Sequence, residues 1–555
     1  MYKSSTTDNN GNGTPSAPEL IENQKEDIAD ENQPAFINHG FQDDFNQKSF
    51  SDSSPQQTKS TRFMPHEPDI DDSYCGRLAK NRRQASSVSG GLLLMINSGL
   101  HIGWGIWRTD FEGHWIWTVN LSLFIFIIMA WSVGAFIGGF LGSILTPVLR
   151  KESIYHLSGA TMIVGNVLII TLEEYAEAVS AGRIVMGLAH GIAYVTLITH
   201  AGENAARDMR ATILSIVNCM LYTGIFVSVV IAGTYRFDSW GYSGPMSTDR
   251  IVGLVGVGLG LASICLTMLL TVESVPFLLH ENNLRNAMPT LKRLRGTTHE
   301  TLAVSYEMEE LTLMVAQDKR DNWNIFIDGN GRPLVLLILM RLMVALTNNF
   351  LINIVASGFV TQMISGLEHY YVPLIYVAPR LGMSILQIFY ADVLKRKVQL
   401  IVSSTLASIT LIVIGIVFNT VEVSSYDQLR ASLIALGSLW LIFQLSCSIG
   451  MDQMQDVYLS EAFSTAKKRW SLPFVVGIEH MFHIFMIGLY FIIFDAFAYA
   501  NFDDVATPVI FVSGSVVLVL GILLIFLLPE TQNSSPKQAR DMFLDNSVHF
   551  TTPFA

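Results

Sequence analysis

Residues 250–279 read RIVGLVGVGLGLASICLTMLLT followed by VESVPFLL. The first part, 250–271, carries its only charge at Arg250, where it begins. At a rise of 1.5 Å per residue it extends about 33 Å, enough to cross a hydrocarbon core of ~30 Å. The apolar run stops at Val272-Glu273-Ser274 and gives way to a mixed stretch, 272–331. Working outward, similar runs precede it near 87–107, 117–142, 153–172, 178–201 and 211–233. Six more follow near 333–356, 370–391, 398–419, 430–455, 471–497 and 506–529. Backbone groups in lipid must be satisfied within the segment, so these are expected to be helices rather than strands. The reading is an all-α membrane protein: twelve transmembrane helices in two six-helix bundles with a cytosolic helical linker.

Composition agrees. Of 555 residues, 50% are hydrophobic and 15% charged, against roughly 25% charged in soluble domains. Mean hydropathy is +0.39. A soluble enzyme, a nucleic-acid binder and a disulfide-stapled secreted domain are excluded. The net charge of −12 is concentrated in residues 1–75, which hold 14 Asp/Glu and 5 Lys/Arg. This polar tail cannot bury enough apolar surface to offset its chain entropy, so a disordered cytosolic segment is expected over 1–85. It lacks the apolar core of a cleaved signal peptide. Cys75, Cys219, Cys265 and Cys447 lie far apart and imply neither a disulfide framework nor a metal site.

Orientation follows from basic residues. With both termini cytosolic, 28 of the 35 Lys/Arg fall on the cytosolic side. Arg108, Arg236, Arg250 and Arg430 lie outside; Arg183, Arg341 and Arg380 lie within spans. The segments are then a tail (1–85), a first bundle (86–271), a linker (272–332), a second bundle (333–530) and a C-terminal tail (531–555). Helical spacing of Leu291, Leu294, Met308, Leu311 and Met314 predicts short amphipathic helices in the linker. A six-loop-six plan suits a transporter that rocks two bundles about a midplane site. Asn120-Leu-Ser122 and Asn533-Ser-Ser535 match the glycosylation pattern, but one abuts a span and the other is cytosolic, so neither is expected to be used.

The punctuation between spans resembles the sugar-porter branch of the major facilitator superfamily, over about 445 residues from Gly90 to Thr531. Val272-Glu273-Ser274-Val275-Pro276-Phe277-Leu278-Leu279 is similar to the family's Pro-Glu-Ser-Pro-Arg-Trp-Leu-Leu, and Leu291-Lys-Arg-Leu-Arg295-Gly296 follows at family spacing. Glu203 and Arg210 match the family's Glu…Arg-Gly, with Ala211 in place of the glycine; Glu461 with Lys468 or Arg469 is the counterpart in the second half. Asp392…Arg396-Lys397, Gly182-Arg183 and Pro529-Glu530-Thr531 resemble further family punctuation. The resemblance implies gating ion pairs drawn from Arg183, Glu203, Arg210, Glu273, Asp392, Arg396, Glu461, Lys468 and Arg469, closing the cytosolic side and breaking when it opens. The family's aspartate after span two is Ser143 here, and the basic pair is displaced to Arg150-Lys151. The first half's gate is therefore expected to be weakened or built differently.

The same resemblance frames the solute site. Asn97 stands where proton-coupled members carry Asp, which favours a facilitative mode; it can equally serve as an interhelical contact. Asn218 stands where the family has a sugar-binding Gln, with Gly224 at family spacing. The span-seven glutamines are absent, and Val344-Ala345-Leu346-Thr347-Asn348 occupies their place, leaving Asn348, Asn349 and Asn353 as nearby amides. From the residues themselves, helix rise puts Arg341 and Asp452 roughly 13 Å, and Glu479 about 15 Å, from the cytosolic edge, with mid-span Arg380 at a similar level. Charges at that depth default to function. Either Asp452 or Asp456 and Glu479/His480 line a cavity for a polar solute or a proton, or Arg341 and Arg380 pair with Asp452 and Glu479 as structural bridges, two against two.

The expectation is a secondary transporter moving a small sugar-like solute, a hexose or disaccharide, by facilitated alternating access in the plasma membrane. Two alternatives stay open: a proton-coupled or organic-ion carrier using the acids and histidine of spans ten and eleven, and a non-transporting sensor signalling through the acidic tail. An enzyme is not expected, since the His/acid cluster lies at bilayer depth with no companion nucleophile or metal-ligand spacing. No cofactor, metal or nucleic-acid partner is implied; the partners are the solute and the lipid bilayer.

Overall fold

The structure is a computed structural model that describes residues 74–111, 121–235, 246–320, 330–349, 352–353, 372–420, 426–496 and 502–545. The expected acidic tail before Tyr74 and the Asn120 sequon lie outside them. Contacts divide the chain into Met1–Pro68 and Asp69–Ala555, and all described residues belong to the second unit. Among the described residues the regular structure is helical, without strands.

Each expected span falls on a helix. In chain order they are span one Ser89–Phe111, two Leu121–Leu145, three Lys151–Thr171, four Ala176–Asn204, five Arg210–Tyr235, six Thr248–Leu270, seven Gly331–Thr347, eight Val372–Tyr390, nine Arg396–Thr420, ten Tyr426–Cys447 with Met451–Glu461, eleven Thr465–Ala496 and twelve Phe502–Leu527. Ten of these helices are long and apolar enough to cross a membrane. The other two have identifiable reasons for falling short. Span one carries Asn97, Ser98 and His101 through its middle, all buried inside the protein. Span seven is helical for only 17 residues and ends at Thr347, with Asn348 as its cap. Large apolar side chains such as Leu261, Met268, Val335, Phe485 and Val519 face outward, as a lipid solvent requires.

Packing groups spans one to six and seven to twelve. Span two lies on four, three on four and six, and one on five and six; nine lies on twelve and ten, and seven on eleven and twelve. The halves meet where span eleven packs on two and span eight on five. Glycine sets the closest approaches. A Cβ added at Gly138 would stand 2.1 Å from the Leu188 carbonyl oxygen, and one at Gly191 would stand 2.3 Å from that of Ala135. Spans two and four thus touch backbone to backbone, the small-residue packing that replaces the hydrophobic effect inside membranes.

Span ten departs from the continuous helix expected over 430–455. It breaks at Ser448–Gly450 and restarts at Met451, whose backbone N–H donates to Ser403 Oγ at 3.0 Å. Glycine at 450 lets span nine come close beside the break, since a Cβ there would meet the Gln399 carbonyl oxygen at 2.6 Å. It places Asp452 in a first helical turn, where the helix dipole favours a carboxylate.

The linker forms three helices, Val275–His280, Leu284–Arg295 and Leu302–Arg320, around their own small core. Leu291, Leu294, Leu311 and Met314 are buried there and Met308 packs against it, as their spacing predicts. Disorder expected through residue 85 is corrected: Tyr74–Ser87 is a helix. Gln84 holds it in place, donating to the Leu294 carbonyl oxygen and accepting from the Ala206 backbone N–H at 2.8 Å. Those contacts satisfy a polar helix that composition alone reads as unstructured.

Candidate functional site

The two halves are tied together at the end that carries the linker. Arg210, at the start of span five, donates to Glu461 at 2.7 Å, and Arg396, at the start of span nine, reaches the same carboxylate at 2.6 Å. All three side chains are nearly inaccessible to solvent. Asp392 accepts the backbone N–H groups of Ala211 and Thr212 at 3.1 and 2.7 Å, capping the first turn of span five from the opposite half. Burial pushes the Asp392 carboxyl above its ordinary range, while Arg396 and those N–H donors pull it back.

Two glutamates play matching parts. Glu273 accepts the Lys151 backbone N–H at 2.9 Å at the start of span three. Glu530 accepts those of Arg396 and Lys397 at 3.3 and 3.0 Å at the start of span nine. Burial pushes the Glu273 carboxyl up against the pull of Lys151. The duplication breaks at Ser143, which stands where Asp392 stands in the second half. Its hydroxyl donates to the Gly139 carbonyl of its own helix at 2.9 Å and caps nothing. The start of span eleven is capped by the linker instead, with Asp318 accepting the Thr465 N–H at 3.2 Å and pairing with Arg540 of the C-terminal helix (Pro536–Leu544) at 2.8 Å. The first half's tie is differently built, as its missing aspartate suggests.

Other expected gate residues are placed differently. Glu461 takes Arg210 and Arg396 rather than Lys468 or Arg469, which line a pocket of about 100 Å3 together with Glu203. Glu203 does not pair with Arg210, and its Oε2 has no hydrogen-bond partner among the described residues. Arg183 lies at the far end of span four from this layer. It donates to the Ile127 and His101 carbonyls at 3.0 and 3.2 Å and sits over the Trp104 ring, 4.3 Å from its centroid. It borders the central cavity and takes no part in the tie beside the linker.

That cavity, about 220 Å3, opens between the halves and is lined by residues of both. The midplane charges meet at it as two clusters. Arg341 pairs with Asp456 at 2.6 Å and with Glu479 at 2.9 Å, and its guanidinium also donates to the Tyr194 hydroxyl. Arg380 pairs with Asp452 through Nη2 at 3.0 Å and donates to Gln444 Oε1 at 3.0 Å. The balance is therefore three acids to two arginines, with Asp456 added to the expected pairs. The first half contributes donors to the same acids. Tyr194 donates to Asp456 at 2.7 Å, Asn218 to Asp456 at 2.9 Å, and Tyr222 to Asp452 at 2.9 Å. Buried charges of this kind are tolerable only when paired and hydrogen-bonded, and these are. The pairs are bridges, and they also join one half to the other.

Of the expected solute residues, Asn218, Asn348, Asp452, Glu479 and His480 line the cavity, and Asn348 donates to Asp452 at 3.3 Å. Asp456 is buried behind it. Asn97 turns away, donating to the Gly256 carbonyl on span six at 2.9 Å and meeting Asn166; it is the interhelical contact. Asn349 serves the backbone beyond span seven, accepting the Ile352 N–H at 2.9 Å. Sequence reasoning missed Trp131, His190, Tyr194, Tyr222 and Gln444, which all line the cavity. A polar or aromatic residue eight to twelve positions inside an apolar span was the available signal for His190 and Tyr194.

Comparison with known proteins agrees with this fold. The family profile described as "Sugar (and other) transporter" matches residues 68–543. The chain is 26% identical over 248 residues to the rat solute carrier family 2, facilitated glucose transporter member 2, covering 42% of this chain and 44% of that protein. It is 21% identical over 337 residues to the facilitated trehalose transporter Tret1 of Bombyx mori, covering 59% and 62%. The chain thus spans less than two thirds of the length of either relative. Among solved structures, the proton:xylose symporter XylE bound to 6-bromo-6-deoxy-D-glucose superposes with a TM-score of 0.66 at 17% identity, covering 84% of this chain and 99% of that one. An inward-open structure of XylE from E. coli gives 0.56 at 16% identity, covering 83% and 98%. On the match over residues 68–543, this multi-pass membrane chain belongs to the sugar (and other) transporter family.

Proposed function

We propose that the protein carries a small polyhydroxy solute, a hexose or disaccharide, across the plasma membrane by alternating access, as a facilitator. In this reading 86–271 and 333–530 move as two bodies about the linker. The observation that carries it is the cavity between the halves, closed on the cytosolic side by the Arg210–Glu461–Arg396 cluster and by Asp392 on the start of span five. Such ties hold one state and are exchanged for water in the other, so opening needs no covalent step. The similarity to proteins named as glucose and trehalose facilitators supports the solute class. The lack of a titratable group at Asn97 supports uniport. The test is uptake of D-glucose and trehalose in transporter-null cells with the protein confirmed at the surface. Saturable flux is expected, and its absence for every hexose and disaccharide tried would end the proposal.

One observation favours a second reading. Glu479 is the third acid of the cluster, its side chain is 17% exposed, and it faces the cavity. It could exchange a proton as the solute passes. Under that reading Glu479→Gln removes the pH dependence of uptake; under uniport there is no steep pH dependence to remove.

A further inference from the structure

Among the described residues, buried polar atoms without a partner gather on one wall of the central cavity. They are Trp131 Nε1 on span two, His190 Nδ1 on span four, and both ring nitrogens of His480 on span eleven. Each of the three side chains is more than nine-tenths buried. They form one cluster: the Trp131 ring lies 4.9 Å from His190 and 5.7 Å from His480, and the two imidazoles are 6.1 Å apart. The backbone contact of spans two and four at Gly187, where a Cβ would meet the Trp131 carbonyl oxygen at 2.1 Å, fixes the first two rings relative to each other. On span ten, Gln444 Nε2 and Gln455 Oε1 are also unpartnered and line the same cavity.

Unsatisfied buried nitrogens are rare in native interiors, and several aimed into one cavity mark a place that a ligand completes. The inventory narrows the ligand. An indole N–H only donates, whereas a neutral imidazole donates at one nitrogen and accepts at the other. That mixture matches adjacent hydroxyls, which give and take hydrogen bonds. An anionic ligand would need a free guanidinium, but Arg341 and Arg380 are engaged with carboxylates, and Arg183 donates to the Ile127 and His101 carbonyls and lies over the Trp104 ring. A cation would need a free carboxylate, but Asp452 and Asp456 each accept from an arginine and from first-half side chains, and Glu479 is paired with Arg341 at 2.9 Å.

We propose that Trp131, His190 and His480 are the hydroxyl-reading subsite of the cavity, with a neutral sugar ring lying against the indole and exchanging hydrogen bonds with the two imidazoles. This rests on the sugar-carrier reading above and adds to what span seven supplies, where Val344 borders the cavity and the Asn348 amide donates to Asp452. Because His480 belongs to the second half and the other two to the first, a bound sugar joins both halves and couples occupancy to their closure.

The test uses the full chain in liposomes, with D-glucose, trehalose and the single-deoxy derivatives of glucose as probes. For the better sugar, His480→Leu and Trp131→Phe raise KM about tenfold with kcat within about twofold, the effect of a lost hydrogen-bonding group that acts in binding alone. His480→Asn, which keeps a donor and an acceptor, restores most of the affinity. In the wild type at least one deoxy derivative loses a comparable factor, and that loss disappears in His480→Leu. Wild-type flux with KM unchanged in the variants, or with all deoxy derivatives bound equally, overturns the subsite alone. No saturable flux of any probe in the wild type overturns the carrier reading and the subsite with it. The deoxy series needs no variant, so a substitution that fails to fold leaves the question decidable.

Discussion

Glu461→Gln is the sharpest perturbation of the tie on the linker side, the side proposed to face the cytosol. In the closed state this buried carboxylate compensates both Arg210 and Arg396. Arg396 keeps other partners in the variant, since it also donates to the Thr531 hydroxyl at 2.9 Å and lies 3.9 Å from Asp392. The loss therefore falls on Arg210, whose Nε already lacks a partner among the described residues. Removing one member of a buried pair costs about 3–5 kcal/mol. The retained amide oxygen and the partners of Arg396 put this case near 3 kcal/mol, or roughly two decades in an equilibrium constant. Opening the cytosolic side brings water to Arg210, so the cost applies to the closed state and shifts the balance toward the open one. The assay is maleimide labelling from the cytosolic side of Ser132→Cys, which lines the cavity, in a chain whose four native cysteines are replaced. Labelling should rise by up to about 100-fold until the open state dominates. A rate within about twofold of the parent, from protein that still elutes as one folded peak, would refute the assignment of Glu461 to the closed state.

Three further outcomes follow from other parts of the molecule. Arg341→Met strands Asp456 and Glu479 and should lower the melting temperature sharply, by about 3–5 kcal/mol of stability, whereas adding Asp456→Leu should recover much of it; thermal unfolding followed by size-exclusion fluorescence decides this. Asp318→Ala removes both the cap on span eleven and the partner of Arg540, at least about 1 kcal/mol from the cap alone, and should speed cytosolic labelling of the same cavity cysteine. Gly191→Val forces spans two and four apart, because even a Cβ there would stand 2.3 Å from the Ala135 carbonyl; uptake kinetics should show a raised KM as Trp131 and His190 separate.

The membrane helices were legible because length and apolarity are properties of a single segment, and lipid leaves no alternative to a helix. Helix rise likewise brought Arg341, Arg380, Asp452 and Glu479 to one level before any contact was known. What did not follow was rotation about each helix axis. Asn97 and His101 are one turn apart and equally polar, yet both face neighbours within the first half, and the cavity receives His190 and Tyr194 instead. Periodicity cannot separate these cases when lipid-facing and helix-facing positions are both apolar. The break in span ten was hidden because the contacts around it, Gly450 against Gln399 and the Met451 N–H on Ser403, come from span nine, some fifty residues away in the chain. The helix Tyr74–Ser87 was missed for a related reason: its partners, Leu294 and Ala206, belong to other segments.

In the proposed transport cycle, solute crosses when the two halves part on the linker side. Gly202 on span four and Ser460 on span ten face each other across that seam, and a Cβ added at Gly202 would lie 2.7 Å from the Ser460 Cβ. Gly202→Cys with Ser460→Cys, in a background without native cysteines, needs a shift of about 1 Å to reach disulfide geometry. Sugar counterflow in proteoliposomes is then measured before oxidation, after it, and after reduction. The account predicts saturable exchange in the reduced protein, its loss in proportion to cross-linking, and its return on reduction. Undiminished exchange in fully cross-linked protein would contradict it.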